Sequence, residues 1–112
     1  MEGNYKDALE NHVKAYDYAE RSKNYELLYV NKYNVAVLKK RLELYEEALA
    51  IFKECYTYEL QNTERDEEDF IRSHLALADV YTEMHQIDSA MKYNKAGIEI
   101  AKRYPTNNLY DF

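Results

Sequence analysis

The side chains in this 112-residue sequence with the types to do chemistry are three histidines, one cysteine and a dense acidic run. The histidines, His12, His74 and His85, fall on different expected elements, and no pair has the four-residue spacing that puts two imidazoles on one helix face. Zinc needs three or four ligands converging on one point, so no metal site is expected. His12 reads as a partly buried packing residue and His85 as a loop residue. Cys55 would be a nucleophile only beside a base that lowers its pKa. Its register with Ala48, Ile51 and Phe52 puts it at a helix–helix contact instead, where a small buried thiol packs as a hydrophobe. A lone cysteine also excludes an internal disulfide and a thiolate zinc site. The run Asp66-Glu67-Glu68-Asp69 lacks the glycine turn and distal glutamate of a calcium loop. It reads as the solvated first turn of a helix, where carboxylates meet the positive end of the macrodipole. Glu46 and Glu47 are adjacent and diverge around their helix, and Gly3 and Gly97 form no phosphate-cradling loop. No acid, base and nucleophile converge, so neither an enzyme nor a cofactor is expected.

The elements that would carry these residues follow from helical periodicity. With 2 Gly, 1 Pro and no alternating apolar stretches, the composition is that of an all-α chain. A first helix is expected over residues 4–21, with Asn4 as N-cap and a stripe of Ala8, Leu9, His12, Val13, Ala15, Tyr16 and Ala19. Ser22-Lys23-Asn24 is a turn with Asn24 capping a second helix to Lys40, whose core positions are Leu28, Val35, Ala36 and Leu38. Arg41-Leu42-Glu43 connects to a third helix, Leu44 to Asn62. A fourth begins at the acidic run and carries Phe70, Ile71, Leu75, Leu77, Ala78 and Tyr81. Met84-His85-Gln86 leads to a fifth, from Ile87 or Asp88 to Arg103, which Pro105 ends by disfavouring helical geometry at Tyr104. The tail, 105–112, is left open: it docks, frays or begins another repeat. The 13 tyrosines are expected mainly at helix seams, where the ring is buried and the hydroxyl reaches water.

Bulk charge restricts the partners. A net charge of −6 supplies no basic face for a phosphate backbone, so no nucleic-acid contact is expected. No apolar run approaches the roughly 20 residues that span a bilayer, and the polar, acidic Met1-Glu2-Gly3-Asn4 start does not read as a signal peptide. The compartment stays open between the cytoplasm and, for a membrane-sensor segment, its outer side.

One phrase occurs three times: Tyr5-Lys-Asp-Ala8-Leu9, Tyr45-Glu-Glu-Ala48-Leu49 and Ile87-Asp-Ser-Ala90-Met91.

 In each, Tyr or Ile stands three residues before an alanine and a long apolar residue follows it. Ala8, Ala48 and Ala90 are spaced by 40 and 42 residues, a period that points to a solenoid of helix pairs. Four residues after each alanine come His12, Phe52 and Asn94, and twelve before the second and third come the small residues Ala36 and Ala78.

These residues resemble the tetratricopeptide repeat, over about residues 4 to 103. In that family each unit is two antiparallel helices, and a small residue late in the first packs against an alanine early in the second. Ala36 with Ala48, and Ala78 with Ala90, match that pattern. Leu77-Ala78 followed by Tyr81 carries its fuller form, and Phe52 fills the late aromatic position, from which His12 and Asn94 depart. Cys55 and Gly97 stand where a small residue is expected. The usual period of about 34 residues is exceeded here, as in the lengthened repeats of bacterial sensors and transcription regulators. The resemblance implies an α-α superhelix of about five antiparallel helices in one domain, 1–112. Residues 4–22 are an orphan second helix, 24–62 and 65–104 are helix pairs, and 105–112 is the tail. The orphan implies a segment of a longer array, or a homodimer in which a second copy covers the apolar face of the first helix.

In this family the first helices of successive units line a groove that holds an extended peptide or another protein's helix. Carried over, the groove positions are Val30, Tyr33, Asn34, Val37 and Lys40, then Arg72, Leu75, Asp79 and Thr82. Asn34 and Arg72 match two positions that clamp a peptide's carboxylates in some members, while Ala76 stands where a second basic residue is needed. The implied function is a protein-interaction module with a protein or peptide partner. The alternative is a sensory repeat domain of a transcription regulator or sensor kinase.

Overall fold

The computed structural model describes residues 2–103, with side chains from Tyr5 onward. Five α-helices make up nearly all of it: α1 (Glu2–Arg21), α2 (Tyr25–Arg41), α3 (Tyr45–Gln61), α4 (Glu67–Glu83) and α5 (Ile87–Arg103). Among the described residues there is no strand, and the protein is all-α. The expectations for Tyr104, Pro105 and the tail 105–112 lie outside the described residues.

Three of the four connections are the same turn. Lys23, Glu43 and His85 sit at φ 58, 63 and 60°, the left-handed region. The residue after each sends its N–H back five positions: Asn24 to the Ala19 carbonyl, Leu44 to Lys39, and Gln86 to Tyr81, at 3.1, 2.9 and 2.8 Å. The left-handed residue itself bonds three back, to Glu20, Lys40 and Thr82. This pair of bonds satisfies helix carbonyls that would otherwise lack partners and reverses the chain at once. Glycine usually takes the left-handed position because it has no Cβ to clash; here Lys, Glu and His take it. Asn24 then caps α2, its side chain accepting from the Leu27 N–H at 3.1 Å. The fourth connection differs. Asn62 accepts from the Glu64 N–H through its side chain, and the Arg65 guanidinium donates to the Glu59 and Leu60 carbonyls at 3.4 and 3.5 Å, closing the end of α3. Asp66 caps α4, accepting from the N–H groups of Glu68 and Asp69, while Glu67, Glu68 and Asp69 occupy the first turn.

The chain forms two compact units, up to Cys55 and from Tyr56. In the first, α1 and α2 run antiparallel: Arg41 lies over the Tyr5 ring at 5.9 Å, and His12 Nδ1 meets Asn31 Oδ1 at 3.4 Å. Asn31 is buried, and its amide nitrogen already donates to the Leu27 carbonyl. Its oxygen is therefore the acceptor, which puts a proton on His12 Nδ1. The core is Ala19, Leu28, Val35, Ala36, Ala48, Phe52 and Cys55. The Cys55 thiol is buried, with the Tyr29 carbonyl 3.8 Å from Sγ. In the second unit Leu77 and Val80 are wholly enclosed, among Phe70, Ile71, Ala78, Tyr81 and Ala90. Gly97 sits where α5 comes close to α4: a Cβ there would meet the His74 Cβ at 3.1 Å and the Leu75 Cδ2 at 3.4 Å.

Several boundaries and faces differ from expectation. α1 starts at Glu2, so Asn4 lies inside the helix and is not its cap; no proline stops the first turn from propagating outward. Val13 is 53% exposed. At about 100° per residue it points about 130° from the middle of the stripe of Ala8, His12, Ala15 and Ala19, too far to reach α2. Leu44 belongs to the turn and is exposed, and Leu38 is only half-buried.

Two substitutions test these contacts in opposite directions. Glu43→Gly relieves a left-handed side chain that is exposed, and should raise stability by up to about 1 kcal/mol after the added freedom of the unfolded chain is deducted. Gly97→Ala gains about 1 kcal/mol of helix propensity, but the His74 Cβ rides on the α4 backbone and the helices must part to admit the methyl. Its urea midpoint should fall below wild type. A rise on Gly97→Ala, or a fall on Glu43→Gly, would contradict these assignments.

Candidate functional site

The groove residues expected from the sequence fall in two sets, one in each unit. On α4, Leu75, Asp79 and Thr82 come together on the wall of an open cleft of about 370 Å³ between α4 and α5. Ala78 and Ala90 form its floor, and Ile87, Met91 and Asn94 of α5 complete the lining. Leu75, Ile87 and Met91 are 42, 52 and 51% exposed. The Thr82 hydroxyl donates to the Ala78 carbonyl at 2.8 Å, which leaves its oxygen as an acceptor toward the cleft. Among the described lining residues Asp79 is the only charged one. Arg72 lies outside the cleft, exposed and paired with Asp69 at 3.1 Å.

Behind α4 is a box of rings that sequence reasoning did not assemble. His74 is 3% exposed, and its Nδ1–H donates to the Phe70 carbonyl at 2.9 Å. Its ring stands edge-on to Tyr56 at 4.9 Å and to Phe70 at 4.7 Å. Tyr93 joins Tyr56 edge-on at 5.7 Å and stacks on Tyr81 at 5.7 Å. The Arg65 guanidinium covers Phe70 at 4.1 Å, with Nε 3.3 Å from the Glu67 carboxylate but too poorly aligned for a hydrogen bond. Burial, and then the neighbouring Tyr93, push the Tyr56 hydroxyl above its ordinary 10.0. These packed rings fix the face of α4 that looks away from the cleft. His74 offers no metal site: among the described residues no three His, Cys, Asp or Glu converge.

On α2, Val30 is exposed, while Tyr33, Asn34, Val37 and Lys40 are half-buried. Tyr33 packs edge-on to Phe52, centroids 5.3 Å apart, so its ring is partly committed within its own unit. The cations beside this set are engaged: Lys39 pairs with Glu47 at 2.9 Å. Lys32 donates to Glu54 and lies over the rings of Tyr16 and Tyr29 at 5.2 and 5.5 Å. Burial pulls the Lys32 pKa down, but the Glu54 carboxylate and the Tyr16 hydroxyl outweigh it and leave the ammonium above its ordinary 10.5.

The α5 contributors Ile87, Met91 and Asn94 were not among the expected site residues. The signal for one was present: Asn94 stands where Phe52 stands in the preceding helix pair. Among the described residues no helix is long and apolar enough to cross a membrane. No family model, curated protein or solved structure matches the chain.

The Lys32 network has a pH signature. A group whose folded pKa is raised contributes its stability in full below the unfolded pKa and loses it as pH climbs through the folded value. Lys32→Met keeps the stem and removes the charge. Its stability deficit against wild type should be constant from neutrality to about pH 10 and shrink above that. Denaturant unfolding of both proteins across this range measures it; a deficit unchanged at alkaline pH would show that the charge contributes nothing.

Proposed function

We propose that this chain is a protein-interaction module, a tetratricopeptide-like helical repeat that receives a peptide or a partner's helix against α4. The observation that carries the reading is the cleft that gathers Leu75, Asp79 and Thr82, three of the positions named from the resemblance alone. The repeated small-residue pairs support it, since Ala36, Ala48, Ala78 and Ala90 are all buried. The identical turns after α1, α2 and α4 support it further. An open cleft with exposed apolar walls and a few polar groups suits recognition of side chains. Fold alone would be weak ground for function; the site adds the apolar and polar groups a ligand would meet.

The test is selection of binders from a displayed random-peptide library against the immobilised protein. Enriched peptides should lose about tenfold in affinity, some 1.4 kcal/mol, on Leu75→Ala and Met91→Ala, with far-ultraviolet circular dichroism unchanged. Failure to enrich any peptide, or affinities unmoved in both variants, would retire the reading.

A further inference from the structure

The helices from α2 to α5 obey one translation. α2 and α4 start and end 42 residues apart, and so do α3 and α5. The starts of α2 and α4 share two features. The residue before each helix is a cap whose side-chain oxygen accepts from the first turn: Asn24 from the Leu27 N–H, Asp66 from those of Glu68 and Asp69. Four residues after the cap comes a buried apolar anchor, Leu28 in α2 and Phe70 in α4. The next positions in this series are 108 and 112, and the sequence puts Asn108 and Phe112 there, both outside the described residues. Asparagine is among the best N-caps, and phenylalanine is the anchor that α4 itself uses. Asp111 repeats Asp69, a carboxylate in the first turn where the helix macrodipole favours it. Residues 62–66 join α3 to α4, and a stretch of the same length, 104–108, lies between Arg103 and Leu109.

The anchor of α4 also shows where such a ring sits. Phe70 stacks on Tyr56 of α3, centroids 5.9 Å apart, and Tyr56 is half-buried. Carried forward by the same 42 residues, Tyr56 becomes Ile98 of α5. Ile98 is 44% exposed. It shares a stripe with Ile87 and Met91, which are exposed too, because offsets of four and eleven residues return to within about 40° of one direction on a helix. The counterparts of this stripe in α3, Tyr45, Leu49 and Tyr56, are all half-buried. The outer flank of α5 therefore repeats the apolar seat that α3 presents to Phe70, with its side chains left more open.

We infer that the outer flank of α5 docks the chain's own segment Asn108–Phe112: Asn108 caps a further helical turn, and the Phe112 ring seats on Ile98 as Phe70 seats on Tyr56. A flank filled in this way is closed to partner proteins and carries the repeat onward. The inference is independent of the interaction reading above, because it turns on Ile98, which does not line the cleft.

The test uses the full chain. In the unmodified protein, nuclear Overhauser contacts should join the Phe112 ring to the Ile98 methyl groups. The chain has no tryptophan, so Phe112→Trp adds a single emitter. Its emission should lie to the blue of the same variant in denaturant and resist quenching by acrylamide. Adding Ile98→Lys, a change at an exposed position, should return both readings to their denatured values while circular dichroism stays helical. Asn108→Ala should lower the ratio of docked to free segment about fivefold. Absence of the Phe112–Ile98 contact overturns the inference. So does a shielded tryptophan that Ile98→Lys leaves in place, because the segment then sits elsewhere. A blue shift that grows with protein concentration overturns it as well, since the ring then enters a second copy.

Discussion

In the second unit the backbones of α4 and α5 come close because Gly97 has no side chain to stand between them. Ala36 and Ala48 are fully buried, and Gly97 meets His74 with no Cβ of its own. Helices packed through such small residues lie toward the near end of the usual interaxial range, about 8 Å. The larger side chains are thereby turned to the flanks. On one flank of α4 they form the box of Tyr56, Phe70, His74 and Tyr93. On the other they leave the cleft. The seam also needs the chain to reverse within a single turn, and the paired bonds around Lys23, Glu43 and His85 do this.

Much of the fold was legible in the residues. Helical stripes and the spacing of three alanines located five helices to within a residue or two at most ends, because buried small residues at a fixed interval leave few alternative registers. The ends that were misjudged are those where local chemistry is ambiguous. Asn4 has the type of a cap, but a cap acts only where the preceding residue leaves the helix. Val13 has the type of a core residue, but it sits off the middle of its stripe, on the flank away from α2. The turns were placed to within a residue although they carry none of the glycine that usually marks them, and a left-handed Lys, Glu or His has no distinctive composition.

The site was less legible. Leu75, Asp79 and Thr82 follow from a helical face, which a sequence states directly. The α5 wall depends on what is missing, a ring at position 94, and absence is visible only by comparing one helix pair with the other. The electrostatic character was the least legible of all. Composition gives the excess of acid, but the pairing of Lys32 with Glu54, Lys39 with Glu47 and Arg72 with Asp69 depends on packing. Those pairings engage several of the chain's cations.

Cys55 gives the first unit a built-in clock. Its thiol is the only one in the chain, it is buried, and it lies against the Tyr29 carbonyl in the contact between α2 and α3. A thiol reagent can reach it only while that contact is open. When closing is fast relative to labelling, the modification rate is the intrinsic thiol rate multiplied by the fraction of time open. The same chain therefore measures the free energy of local opening around Cys55 without any added label.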